Sequence, residues 1–218
     1  MKKLPVLNSF IIPVILVFII TGCMKKEDSI TPSLAPKAVK NSNQTVTKST
    51  KVFKSAKSLI ANGLSIAVGD TLEGGIVFYL DNSGTHGLVA ALSDQNTAIV
   101  WGNAPFIIPN VTDITLGSGM SNTVSILTNQ GPGNYAAGIC DILNLNGFND
   151  WYLPSLEELS FMYTNLFLHG LGGFLPQGYY WSSSEKSLNE AWEIWFENGK
   201  QNFDFKDKTY AVRAIRTF

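Results

Sequence analysis

Few residues in this 218-residue sequence have the types and spacing that reactions need. The two histidines, His86 and His169, have no partners at metal-ligand spacing, so a zinc site is not expected. Loop residues such as Asn149 and Asp150 offer oxygen ligands for calcium, yet no EF-hand pattern surrounds them. No metal and no cofactor are expected. Ser182-Ser183-Ser184-Glu185 gathers hydroxyls and a carboxylate without a nearby histidine, which leaves a serine-nucleophile triad unsupported. What remains is recognition chemistry. Trp101 and Asn103 head a long loop, and Trp192, Trp195, Asn198, Asn202 and Asp204 surround a C-terminal hairpin. An aromatic ring beside amides and carboxylates suits a sugar face and its hydroxyls, although plain packing is the simpler use of large aromatics. Trp192 and Trp195 are three apart on an expected strand, so they point to opposite faces and one is expected to be open.

One thiol has a specific chemistry. Met1-Lys2-Lys3 is a positive start, Phe10 to Ile20 is apolar, and Thr21-Gly22 precede Cys23, the tripartite layout of a secretory signal over residues 1–22. The apolar run falls short of the ~20 residues of a membrane span. Ile20-Thr21-Gly22-Cys23 resembles the lipobox of bacterial lipoproteins, with Gly22 and Cys23 at its strict positions and Ile20 and Thr21 departing at looser ones. The resemblance implies diacylglycerol on the Cys23 sulfur, cleavage before it and acylation of the freed amine; two or more chains anchor stably where one does not. An ordinary signal peptide with a chance cysteine, or an uncleaved anchor, is the alternative. Met24 in place of Asp implies, by similarity to Gram-negative lipoproteins, placement in the outer membrane, facing either periplasm or exterior.

The elements that must position these residues follow from pattern. Residues 23–65 are rich in Lys, Ser, Thr, Asn and Pro and lack apolar periodicity, the composition of a flexible, disordered tether. Val52-Phe53 and Leu59-Ile60 allow a short helical turn near its end. The tether has eight lysines against two acids, near +6; from Ile66 onward fifteen acids face six basic residues, near −9. An acidic domain argues against nucleic acid and strongly sulfated polysaccharide as partners. With Cys23 lipidated, Cys140 has no intramolecular partner, so the domain 66–218 rests on its core; in an apolar helical stretch Cys140 is expected to be a buried small hydrophobe. Strands are expected at 74–80 and 86–92 around the Asp81–Gly84 turn, a loop at 101–119, and helices at 121–130 and 135–145. Ser155 and Glu158 form a capping box that starts a helix at 156–165, with Pro154 just before it. Strands at 179–182, 191–197, 200–205 and 210–218 follow, with a type I′ hairpin at Asn198-Gly199. Strands, then helices, then antiparallel strands make an α+β pattern, in which Ile76–Leu80 is expected to pair with Tyr210–Ile215.

Several motifs occur in a telling order: Trp151-Tyr152-Leu153-Pro154-Ser155 with Glu157-Glu158, Tyr180-Trp181-Ser182-Ser183-Ser184, Trp192, and Val212-Arg213-Ala214-Ile215-Arg216. With Gly74–Tyr79 and His86–Ala91 before them, they resemble the family typified by the C-terminal domain of the collagen-like adhesin Lcl. The resemblance spans about residues 70–218. It implies a C-type-lectin-like fold: antiparallel strands, first and last paired, two to three helices and a long ligand-contacting loop region. It also implies a binding module for glycan or protein, with a structural adhesion scaffold as the alternative. Formylglycine-generating enzymes share the broader fold but use a cysteine pair, which Cys140 alone does not supply, so no enzyme is expected. Trp151 and Trp181 are expected in the core. Arg213 and Arg216 are expected in internal ion pairs with Glu157, Glu158 or Glu193.

Overall fold

The computed structural model describes residues 54–103, 108 and 111–218. The Cys23 signal and the tether up to Phe53 lie outside those residues. The described end of the tether is not free: a short helix, α1 (Ala56–Ala61), buries Ala56, and Lys54 bridges to Leu72. The Ala56 N–H donates to Glu73 at 2.8 Å, so the folded part is already in place at Lys54, ahead of the expected boundary at Ile66.

The chain continues through β1 (Thr71–Leu72), β2 (Gly75–Leu80), β3 (Gly87–Ala90), β4 (Asn96–Val100), α2 (Gly119–Gln130) and α3 (Ala136–Asp141). It then forms α4 (Leu156–Asn165), a 3-10 turn (Phe167–His169), β5 (Tyr179–Glu185), β6 (Glu190–Trp195), β7 (Lys200–Phe205), β8 (Thr209–Val212) and β9 (Ile215–Thr217). The result is a mixed α+β domain with two mainly antiparallel sheets, ordered β1-β2-β3-β9 and β4-β8-β5-β6-β7. Among the described strands only β5 and β8 meet in parallel, at Tyr180 and Ala211. Helix α4 starts where the capping box places it: the Glu158 N–H donates to Ser155 Oγ and the Ser155 N–H to Glu158 Oε2. Burial pushes the Glu158 carboxyl above its ordinary range, against the N–H groups of Ser155 and Gly117 that favour its charge.

Three expectations fail for physical reasons. The C-terminal stretch 210–218 is not one strand, and β2 does not pair with it. β3 lies between β2 and β9, and the stretch breaks at Arg213-Ala214 so that β8 serves one sheet and β9 the other. Its neighbour breaks at the same level, between β3 and β4, and the Ala91 N–H to Ala214 and Gln95 N–H to Val212 bonds carry the two segments across. Arg213 fills the joint: its Nε donates to Asp94 at 2.7 Å, and one guanidinium nitrogen reaches the Ala91 and Gly172 carbonyls. The 135–145 helix ends at Asp141, because Asn146 and Gly147 take positive φ and turn the chain so that Leu145 bridges Phe148.

The interior divides into two apolar clusters. One gathers Trp101, Trp151, Trp181, Tyr135 and Cys140 between the second sheet, α2 and α3. The other packs α4, through Leu156, Leu159 and Met162, against Phe78, Tyr180, Ile194 and Phe196. The α4 side of β5 and β6 is therefore covered along much of its length, which leaves the opposite side, beyond Trp181, as the open part of the sheet.

Candidate functional site

Register sets the site. Tyr179 faces Trp195 and Trp181 faces Glu193 across β5 and β6; Glu193 faces Asn202 and Trp195 faces Lys200 across β6 and β7. Alternation along each strand puts all of these, with Asp204, on one face. Tyr210 of β8 joins them. Its ring lies 5.0 Å from Tyr179 and 4.6 Å from Trp181, and Tyr179 stacks on Trp195 at 5.3 Å with only 7° between planes. The row begins in the core at Trp181, which is fully buried, and emerges through half-buried Tyr210, Tyr179 and Trp195. Rings stacked in this way cover one another's faces and offer their rims.

Polar groups lie along the row. Glu193 is 2% exposed, and its Oε2 has no hydrogen-bond partner; neither does the buried Trp195 Nε1. Burial pushes the Glu193 carboxyl up to about 8, reinforced by Asp204 and opposed by the Asn202 amide and Lys200. Near neutrality the group is therefore mostly a neutral acid, able to donate as well as accept. Tyr210 donates its hydroxyl to Asp204, and burial together with that carboxylate raises the phenol. Residues two apart on a strand lie about 7 Å from each other. A group that both donates and accepts, such as a hydroxyl, would match the unpartnered indole N–H and acid, both of which are buried.

The expected site residues divide among five places. Trp195, Asn202 and Asp204 come together on this face. Trp192 lies on the opposite face, edge-on to Phe203 at 5.4 Å with Lys186 above it. Trp101 is a correction: it is 0% exposed, its indole N–H donates to the Ser182 carbonyl at 2.7 Å, and it offers nothing to a ligand. Asn103 is exposed but stands apart, its N–H bonded to Gln130 at the end of α2. Asn198 accepts from the Lys200 N–H inside a four-residue turn in which only Gly199 has positive φ, so the hairpin is not the two-residue type I′ form.

The motif residues are internal. Trp151 donates to the Phe148 carbonyl, Leu153 and Pro154 are buried, and the Pro154 carbonyl accepts from Ser183 N–H at 2.7 Å. Trp181 donates to Ile99, Ser182 Oγ to Trp192, and Ser184 Oγ to Asp113; Ser183 Oγ accepts from Asn122. Arg213 pairs with Asp94 at 2.6 Å, and Arg216 with both oxygens of Asp150, holding that carboxyl below its usual range. Neither uses Glu157, Glu158 or Glu193, because strand breaks and loops bring nearer carboxylates to them. Sequence reasoning missed Tyr179, Tyr210 and Glu193. Their signal was present in the period of two, but finding it required the register of four strands at once.

The described residues hold no group of three or more His, Cys, Asp or Glu placed for a metal ion. Burial drives the Cys140 thiol far above its ordinary value, so it stays protonated. None of the described helices is long and apolar enough to cross a membrane. Fold and site together define a small α+β domain whose tryptophan, serine and arginine motifs hold the interior and whose second sheet presents an aromatic row. The chain belongs to the Lcl C-terminal domain family, whose model matches residues 90–216. No curated protein matches the sequence. Among solved structures, it is similar to a fimbrial protein from Bacteroides ovatus ATCC 8483, with TM-score 0.45 and 15% identity. That match covers 69% of this chain and 44% of the other, so the chain spans less than half of that protein.

Proposed function

We propose that the chain is a lipid-anchored envelope protein that binds glycan on the face formed by Tyr179, Trp195 and Tyr210. The observation that carries this reading is the half-buried aromatic row beside two unpartnered polar atoms, Glu193 Oε2 and Trp195 Nε1. Interior polar groups are ordinarily bonded, so a matched pair of orphans at a surface row points to a partner that supplies hydroxyls. The acidity of the domain favours a neutral glycan over a sulfated one. In this reading residues 1–22 are removed, lipid on Cys23 holds the protein at the outer membrane, and the lysine-rich segment after it is a spacer. The fold is of the C-type-lectin-like type, supported by first and last strands that share a sheet and by the flanking helices α2 and α4. The protein is non-enzymatic, in keeping with a family typified by an adhesin domain.

A glycan array with the chain from Met24 onward tests the ligand. Binding that falls at least tenfold in Trp195→Ala and in Tyr179→Ala, with Trp192→Ala unchanged, supports the site; equal loss in all three refutes it. Metabolic labelling with a fatty acid tests the anchor, since Cys23→Ser must lose both label and membrane retention. A structural adhesion scaffold is the second reading, favoured by the complete burial of Trp101, Trp151 and Trp181 in the core. Capture of an envelope protein by the domain, with no glycan bound, would select it.

A further inference from the structure

The second sheet ends on β7, which pairs with β6 alone. The ladder runs without a bulge from Trp195–Lys200 to Glu190–Phe205 and contains no proline. Among the described strands none pairs with its outer side. An edge strand of this length is a template for another strand, because its outward N–H and C=O groups lack a strand partner; the Phe205 N–H is the exception, donating to Asp204 Oδ1 at 2.7 Å. Its side chains also depart from a protected edge. Phe203 and Phe205, on the face away from the aromatic row, are 46% and 52% exposed. Lys200 and Asp204 stand near the two ends on the row face.

We infer that β7 joins antiparallel to β7 of a second copy of this chain, about a two-fold axis at Asn202. A two-fold axis perpendicular to a continuous sheet keeps every side chain on its own face, so the axis must fall on a residue and pairs follow from that choice. An axis at Asn202 sets Lys200 of each copy opposite Asp204 of the other, on the row face, and Gln201 opposite Phe203 on the other face. An axis at Phe203 would carry Lys200 past the strand end at Phe205 onto Lys206, which is buried and paired with Glu185. An axis at Gln201 would run the pairing off the strand into the Asn198–Gly199 turn. Of these three, the Asn202 axis alone matches opposite charges, and opposite charges facing each other across a ladder favour that register where like charges oppose theirs. The joined sheet would place the two aromatic rows on one continuous surface, giving a divalent face, and copies tethered to one membrane would meet at raised effective concentration.

Engineered cysteines read this register directly. Residues facing themselves across an antiparallel axis lie about 4.5–5.5 Å apart at Cα, within the range a disulfide spans. The chain from Met24 onward contains every described residue, and its own Cys140 is buried. Under mild oxidation at high protein concentration, Asn202→Cys is expected to form covalent dimer several-fold more than Gln201→Cys or Phe203→Cys. Adding Lys200→Asp should abolish that dimer, and Lys200→Asp with Asp204→Lys should restore it. Circular dichroism on each variant separates loss of pairing from loss of fold. No dimer from a folded Asn202→Cys chain, a stronger dimer through Phe203→Cys, or indifference to the charge reversal would overturn the inference. No glycan enters this experiment, so its failure leaves the glycan reading standing.

Discussion

Replacing Glu193 by Gln should stabilise the domain, and by an amount that depends on pH in a defined way. The acid is 2% exposed, one oxygen has no partner, and burial raises its carboxyl from 4.5 to about 8. A raised carboxyl means that the folded state holds a proton where the unfolded chain has released it. Its contribution is therefore fully favourable below the unfolded value and is lost as pH rises through the folded one. The shift of about 3.5 units corresponds to a ceiling of about 5 kcal/mol. Solvent along the open sheet face and the nearby Lys200 ammonium screen part of this, leaving about 2–3 kcal/mol. Gln has nearly the shape of the neutral acid, keeps an acceptor for Asn202 and cannot ionise. Urea unfolding of both proteins, followed by tryptophan fluorescence at about pH 4.5, 6, 7.5 and 9, gives the difference in stability. It should be near zero at the lowest pH, open in favour of Gln between about pH 5 and 8, and stay level above. Curves that remain parallel throughout, or a wild type that gains on the variant as pH rises, would refute the burial argument.

Other interior groups give further tests. Arg213→Met leaves Asp94 with the Tyr180 hydroxyl but no counter-charge at the joint between the sheets and should cost about 3–5 kcal/mol in chemical denaturation. Trp101→Phe keeps the aromatic volume but strips the donor from the Ser182 carbonyl; a loss of about 1–3 kcal/mol in urea unfolding is expected. Gly199→Ala puts a Cβ into the Tyr163 ring at a positive φ and should lower the melting temperature by several degrees, read by calorimetry. Ser155→Ala removes the cap of α4 and should cost about 1–2 kcal/mol, with amide exchange rising first in that helix.

Local chemistry was legible in the sequence wherever it closes within a few residues. The Ser155–Glu158 box fixes the start of α4, and Asn198-Gly199 marks the hairpin. The turn is longer than the dipeptide suggests because Phe196 leaves the ladder to enter the α4 cluster. Pairings that span the chain were not legible. Arg213 reaches a carboxylate 119 residues away and Arg216 one 66 residues away, and composition alone ranks no carboxylate above another. The site suffered in the same way. Trp195, Asn202 and Asp204 are neighbours along one hairpin, whereas Tyr179 and Tyr210 arrive from flanking strands whose order only the fold reveals. Trp101 misled because a tryptophan at the head of a loop looks open until its indole is found bonded inside the core.

The two sheets share the long pair of segments that break at Arg213 and Asp94, and this gives the domain a direction of load. Lys54 bridges β1 at the outer edge of the first sheet; the aromatic row crosses β8, β5 and β6 of the second and ends at Trp195, beside the edge strand β7. Forces applied at Trp195 and at Lys54 would act on opposite sides of the joint, so tension between them must cross it. There the strands change sheets, and the Arg213 side chain ties Asp94, Ala91 and Gly172 together. Under a steady pull across the domain that arginine acts as its rivet, and the force at which the joint opens sets the mechanical limit of the fold.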